Sequence, residues 1–568
     1  MTLGLAVRRA RFSSHRRTHL LALQLATALS GGAVGASAMT SPLPSWTFSP
    51  ASVGVGNCND AGPGSLRDTI QSASPGQVID LTQLGCSTIT LTTGALAVAQ
   101  SGLTLLGPGA DSLAIDGAGA QPVLVHSGGG VLSVSGVTIR NGNQNAAAPS
   151  GGCIYSAGDL VLESSVVSAC KAVTSVCQSA HGGAIFVHGD AFLEGSTVST
   201  SNAGTPAACP IGARAYGGGI YVDGRLRVED STISGNTTSS SSHTGYGGGV
   251  AARGPSVFVN ALIESNYAAS GGGVWATAGA SFTDSTVSGN SAYTFGGGLW
   301  AAGGLPTIVT RSVFAGNSIT GVGFGHGGGI SSNVPITLTD SQLSRNSALS
   351  AAALYSAAYI TIVRSTIDYN TNGPAIYNSG AAGVSITNST IVGNTHLPAP
   401  FGSAAVVLRG NATIANSTFA FNSGAFGALF VTGATLDLRS TLLAANHSDD
   451  GPSDFNAPPN TTITGDHNLV VAPFPGVVVP SDTITSCPKL DRLAMNGGPT
   501  PTVMLLPGSA GIEGGSDIFA LTSDQRGVGF VRTFGAGPDV GAFERQGETS
   551  DALFSSAFES YCDSHHHS

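Results

Sequence analysis

Charge is scarce in this chain: only 10% of its 568 residues are Asp, Glu, Lys or Arg. Beyond residue 38 just two lysines occur, Lys171 and Lys489. Beyond that point cations are few and none of them cluster, which argues against nucleic acid as a partner, because phosphate binding needs a basic surface. Within the body of the chain no apolar run reaches the length that spans a bilayer. There is no Cys-x-x-Cys spacing among the eight cysteines, which argues against a zinc site, and we expect neither metal nor cofactor.

Glycine, by contrast, is abundant, with 81 residues, about twice the usual share. It is not a mark of disorder, because β-branched and aliphatic residues stay periodic between the glycines. A phrase Ser-Thr-hydrophobic-x-x-Asn recurs, as in Ser231 to Asn236, Ser285 to Asn290, Ser365 to Asn370 and Ser389 to Asn394. Between its copies stands Gly-Gly-small-aliphatic-aromatic, as in Gly217 to Tyr221 and Gly296 to Trp300. Repeats of this length, built from short β-type runs and glycine turns, predict an all-β, right-handed parallel β-helix of about twelve coils, capped at both ends. In residues 217–236 strict alternation puts Ile220, Val222, Leu226, Val228 and Ile233 inward and the charged residues outward.

The N-terminus reads as a secretory signal over residues 1–38, with five arginines, an apolar core from Leu20 to Val34 and an Ala36-Ser37-Ala38 cleavage site. Its removal leaves 17 basic against 32 acidic residues, a net charge of −15. The remaining divisions are a linker (39–56), an N-terminal cap (57–100), coils (101–446), a C-terminal cap (447–545) and a tail (546–568). We therefore expect an exported monomer, secreted or at the cell surface, with no transmembrane segment after processing. In that compartment cysteines pair. Cys58 with Cys86 is the first pair expected; Cys153 and Cys170 lie in one coil, and Cys177 and Cys209 flank the next. Cys487 and Cys562 remain near the C-terminus.

Stacked coils turn repeat positions into columns. Asn202, Asn236, Asn266, Asn290, Asn317, Asn346, Asn370, Asn394, Asn422 and Asn446 predict a hydrogen-bonded amide ladder. The column before the serine alternates Asp284, Arg311, Asp340 and Arg364, which suits an ion ladder and not a calcium site. A third column holds Tyr155, Phe186, Tyr221, Trp275, Trp300, Tyr355, Tyr377 and Phe430, broken by Ala251 and Ser331, and faces outward. Beside it, before the glycines, come His181, Tyr216, Tyr246, Phe295 and His326. These two columns are the candidate binding site: either stacking that stiffens the sheet or a platform for a polysaccharide or cell-surface component.

These phrases resemble the Gly-Gly-Ala-Ile and Phe-x-x-Asn repeats of polymorphic outer-membrane proteins. More closely, the chain is similar to bacterial right-handed β-helix surface proteins of the pectin-lyase-like superfamily. Gly64 to Ile70 resembles the Ser-Leu-Arg-Glu-Ala opening of such proteins, without its preceding Cys or its Glu-Ala pair. Asn496 to Thr500, Leu506 to Ser509, Asp524 to Gly527 and Asp539 to Glu544 resemble a choice-of-anchor Q domain, which implies a surface-exposed or secreted bacterial protein. The ending Phe554 to Glu559 is similar to a Phe-x-x-Gly-Phe-Glu tail with Ala557 in place of glycine.

The resemblance also raises polysaccharide lyase and glycoside hydrolase activity as the alternative. Hydrolases need paired carboxylates, but the chain has no Asn-Thr-Asp, and its one Asp-Asp, Asp449-Asp450, follows the last clear repeat. Gly325-His326-Gly327 belongs to the repeated turn. No Gly-x-Ser-x-Gly elbow is evident. We assign no catalytic residue and no role to His565, His566 and His567, and expect a non-catalytic adhesion or glycan-binding scaffold.

Overall fold

The computed structural model describes residues 52–547 apart from 207–208, 210–211, 241–243, 322, 324, 397–403 and 518. The signal segment, most of the linker, Cys562, the Phe554–Glu559 ending and the histidine run fall outside the described residues. The chain divides into two units, Met1–Ser49 and Pro50–Ser568, and every described strand lies in the second.

Each coil contributes one strand to each of three parallel sheets. Ile220–Val222 is followed by Leu226–Glu229 and then by Thr232–Ser234, and the next coil repeats the order. The first sheet has 16 strands, from Ser52–Gly54 to Thr462–Asp466. The second has 15, from Thr88–Thr90 to Leu469–Val470, and the third has 14, from Leu96–Val98 to Phe455–Asn456. The fold is thus a parallel β-helix of about fourteen coils, with the crossover sense that twisted strands favour. The count exceeds the expected twelve because short strands at both ends, such as Gln77–Asp80 and Thr462–Asp466, continue the ladder without the repeat phrases. Fourteen rungs correspond to a stack of about 65 Å.

The inward set is buried as alternation requires: Ile220, Val222, Leu226, Val228 and Ile233 are all 0–1% exposed. Phe258 and Phe282 stack in the core at 4.6 Å.

Two kinds of bend close each coil. The residue before the serine adopts a left-handed conformation, with φ of 47° at Asp230, 51° at Asp284, 47° at Arg311 and 46° at Arg364. That explains the frequent Asn and Asp there, which tolerate this region best among non-glycines. The expected ion ladder becomes two discrete bonds, Arg311–Asp284 and Arg364–Asp340, each 2.7 Å. Each arginine pairs with the aspartate of the preceding coil only.

The amide ladder runs from Asn236 to Asn446, each side chain donating to the next asparagine. Its last amide donates to the Asp454 carboxylate at 2.8 Å. Asn202 is not a rung. The pairing of Thr197–Ser199 with Thr232–Ser234 puts Ser201 in that position, where Asn236 Oδ1 accepts the Ser201 amide. The glycine phrase answers this ladder: a Cβ at Gly219 would lie 3.0 Å from the Asn236 side-chain amide. Gly217 needs its left-handed backbone (φ 62°) and has no room for a Cβ beneath the Ile220 carbonyl.

At the N-terminal end, Ser65 caps the helix Leu66–Ser72 and buries Leu66 and Ile70 over the first coils. Arg67 ties it down through Asp60 and the carbonyls of Gly94 and Ala95. At the other end, short bridges at Pro473 and Ile484 cover the last strands. Residues 490–546 then fold back along the outside of the second sheet. Gln525 bonds Thr390 and Thr366, the Ala542 amide donates to Thr418, and Ser516 bonds Ser440. This arm is a flank brace and not only an end cap.

Disulfides join Cys58–Cys86, Cys153–Cys170 and Cys177–Cys209, with Cα separations of 6.3, 5.5 and 5.1 Å. The last staples the loops that leave the helix after Thr174 and Thr205. Cys487 is disulfide-bonded as well.

Candidate aromatic binding face

In the three-residue strands of the third sheet the middle residue faces away from the core, and register brings these residues together. Tyr155 pairs with Phe186, Phe186 with Tyr221, Trp275 with Trp300, and Tyr355 with Tyr377. Their rings stack: Tyr155–Phe186 at 5.3 Å and 2°, Phe186–Tyr221 at 5.3 Å and 6°, Tyr355–Tyr377 at 5.9 Å and 5°. This is the cross-strand aromatic pairing that stabilises sheets.

The second column comes from a fourth, partial sheet between the second and third, in which Ala180–His181, Ala215–Tyr216 and Gly245–Tyr246 lie on successive rungs. His181 stacks on Tyr216 at 5.3 Å and Tyr216 on Tyr246 at 5.2 Å. The two columns interlock. Across the gap at Ala251, Tyr216 and Tyr246 reach Trp275 at 5.4 and 5.3 Å. Across the gap at Ser331, His326 lies 4.6 Å from Phe295 and 3.5 Å from Tyr355. The result is one unbroken strip of twelve rings from Tyr155 to Tyr377.

Two expected members differ. Phe430 is cut off from the strip by Val407, which register places between it and Tyr377, and it packs on Phe426 instead. Tyr221 is only 4% exposed, roofed by His181 and Tyr216, so it supports the strip from below. The other strip residues are half-buried, each with part of its ring in solvent. His326 donates to or accepts from Ser331 at 3.1 Å, and burial lowers its pKa to about 4. It is an uncharged wedge at neutral pH.

A polar group borders the strip. Residues two past the ring column share its outward face, and on three adjoining rungs they are His188, Asp223 and Arg253. The Tyr221 hydroxyl donates to Asp223 Oδ1 at 2.9 Å, His188 Nδ1 lies 2.9 Å from Oδ2, and Arg253 approaches Oδ1 at 3.8 Å. Burial pushes the Tyr221 phenol up to about 12. Nearby, Arg214 lies 5.6 Å over the Tyr246 ring, and farther along Arg409 lies 5.4 Å over Tyr377. Sequence reasoning missed these polar residues, although period-two alternation from Phe186, Tyr221 and Ala251 leads directly to His188, Asp223 and Arg253.

The C-terminal motif residues have structural partners. Arg526 is held between Phe530 and Phe543, 3.9 Å from each ring centre, and pairs with buried Asp524 at 2.7 Å. Asp449 and Asp450 sit on an exposed hairpin turn away from the strip. Among the described residues, no three His, Cys, Asp or Glu side chains converge as a metal site would require.

The family described as "Right handed beta helix region" matches residues 218–419. No curated protein matches the chain. Among solved structures, the crystal structure of pectate lyase Pel9A is 13% identical, with a TM-score of 0.30 over 88% of this chain and 98% of that one. The Dettilon tailspike protein (gp208) is also 13% identical, with a TM-score of 0.28 over 64% of this chain and 63% of that one.

Proposed function

We propose that the chain is an exported bacterial scaffold, monomeric and surface-exposed or secreted, whose aromatic strip docks a glycan on a cell or matrix surface. The carrying observation is the unbroken run of half-buried rings from Tyr155 to Tyr377 on one outer face. Internal stacking alone would be satisfied by fully buried rings. Partly exposed aromatic faces on a rigid sheet offer apolar area at little entropic cost, together with edges that accommodate sugar hydroxyls. Three disulfides fit an oxidising, extracellular setting. The C-terminal resemblance to a choice-of-anchor Q domain accords with placement at the cell surface.

The test is retention of the processed protein on immobilised neutral and acidic polysaccharides, comparing wild type with Trp275→Ala/Trp300→Ala. Tyr221 is left intact because its burial makes its removal a stability change. Retention that survives the double substitution, in a protein that still melts normally, would sink the platform.

A second reading rests on one observation, the His188–Asp223 contact at 2.9 Å beside the strip. A carboxylate-oriented imidazole is what a general base needs, and it suits a lyase or hydrolase with an atypical site. Chain cleavage scored in the same samples, and lost in His188→Ala, would favour it over a passive scaffold.

A further inference from the structure

Several arginines of the coils are ion-paired, while Arg345, off the strip, lies 5.8 Å over the Tyr369 ring. Arg225, Arg311 and Arg364 each meet a carboxylate at 2.7 Å, which uses their charge within the protein. Those on the strip do not. Arg214 is exposed, and among the described residues its side chain meets the Tyr216 hydroxyl, at 3.4 Å, and the Tyr246 ring. Arg253 has a side chain 63% exposed, and its nearest carboxylate oxygen, on Asp223, is 3.8 Å away. That oxygen already accepts the Tyr221 hydroxyl, and the other faces His188.

In a chain with 32 acidic and 22 basic residues, cations have ample acids to pair with. Two exposed guanidinium groups beside the strip, one over a ring and one only loosely paired with a carboxylate that Tyr221 already engages, favour an external anion there. A planar guanidinium stacked on an aromatic ring keeps its N–H fork pointed outward, the geometry that receives carboxylate or sulfate oxygens.

We infer that the strip recognises an acidic glycan, with Arg253 and Arg214 receiving its carboxylate or sulfate groups while the rings of Tyr246 and Trp275 carry the sugar. This rests on the glycan reading and adds the ligand's charge. Arg409 over Tyr377 offers a second anion position toward the far end of the strip.

The test measures affinity of the full processed chain for alginate and carboxyl-reduced alginate, and for chondroitin sulfate and its desulfated form. Arg214→Gln/Arg253→Gln is compared with Arg492→Gln, which removes an exposed charge on the arm. The acidic polymer of a pair should bind more tightly, and the double substitution should weaken that binding about tenfold or more, a factor within the range of charge-assisted hydrogen bonds. Binding of the double variant to the reduced polymer, and of Arg492→Gln to the acidic one, should be unchanged. A preference confined to the alginate pair assigns carboxylate, and one confined to the chondroitin pair assigns sulfate. Equal binding of acidic and neutral forms overturns the inference while leaving the glycan reading standing. Equal loss in Arg492→Gln also overturns it, as diffuse attraction. No retention of any polymer overturns both.

Discussion

Replacing Asn317 by alanine removes one rung from the middle of the amide ladder. Its Nδ2 donates to the Val287 carbonyl at 2.9 Å and to Asn346 Oδ1 at 3.0 Å. Its Oδ1 accepts the Asn290 backbone amide and the Asn290 side-chain amide, both at 3.0 Å. All of this is at 0% exposure, so water cannot replace the lost partners. The worst consequence is the orphaned Asn290 N–H, because Asn290 Nδ2 keeps the Ile263 carbonyl at 2.9 Å. An unsatisfied buried donor costs about 1–3 kcal/mol, and each further lost bond adds about 1 kcal/mol. The expected loss is about 3–5 kcal/mol, at the upper end for single substitutions. Asn202→Ala is the comparison, because that side chain has one exposed contact, with Ser239 Oγ at 3.1 Å, and should cost under about 0.5 kcal/mol. Denaturant unfolding gives the difference. Because a solenoid can open locally, amide exchange at Asn290 gives the site of the damage. A cost for Asn317→Ala no larger than that for Asn202→Ala, or unchanged protection at Asn290, would refute the ladder as a source of stability.

Tyr221→Ala should destabilise by about 3 kcal/mol, as removal of a large buried ring does, whereas Tyr155→Ala at the half-exposed end of the strip should cost clearly less; thermal melts of the two variants decide it. Arg526→Met leaves Asp524 buried without its cation and should cost about 3–5 kcal/mol, read as early protease cleavage within residues 490–546 while the coils stay intact. Asp454, buried at the end of the amide ladder, has a pKa pushed up to about 6 by burial. A raised folded pKa on an acid means that ionisation opposes folding, so this group's contribution is greatest below about 4 and is lost as pH rises through about 6. The melting temperature of wild type relative to Asp454→Asn should therefore fall between pH 4 and pH 7, and a rise would contradict the assignment. Gly219→Ala should unfold more easily than Gly303→Ala, since its Cβ would lie 2.7 Å from the Gly249 carbonyl oxygen and 3.0 Å from the Asn236 side chain, while Gly303 meets nothing closer than 3.6 Å.

Much of the fold was legible because a parallel β-helix converts sequence period directly into spatial neighbourhood. One residue per coil at a fixed offset must stack on its counterpart one rung away. That is why the asparagine ladder and the stacking of the ring column follow from periodicity, and why Cys58 with Cys86 could be expected from sequence proximity, whereas the other two described pairs, Cys153–Cys170 and Cys177–Cys209, were set by the fold. The failures occur where the offset slips. Asn202 carries the right residue type one position too late, and only strand register reveals Ser201 beneath Asn236. The end coils lack the phrases but still find backbone partners, since parallel pairing needs only unblocked N–H and C=O groups.

The coil itself is written in the chain: alternation chose the buried face, glycine and left-handed Asn or Asp chose the bends, and repetition chose parallel stacking. The packing of one sheet against the next set how the two aromatic columns mesh. Their contacts cross from one sheet to another, so Tyr221 is roofed over, His326 fills the gap at Ser331, and Val407 isolates Phe430. It also decided how tightly each arginine is paired, because Arg311 and Arg364 meet aspartates at 2.7 Å, whereas Arg253 stays 3.8 Å from Asp223 and Arg214 lies over the Tyr246 ring. Column membership is a one-dimensional property of the repeat; exposure and charge pairing depend on what a neighbouring sheet places above each residue.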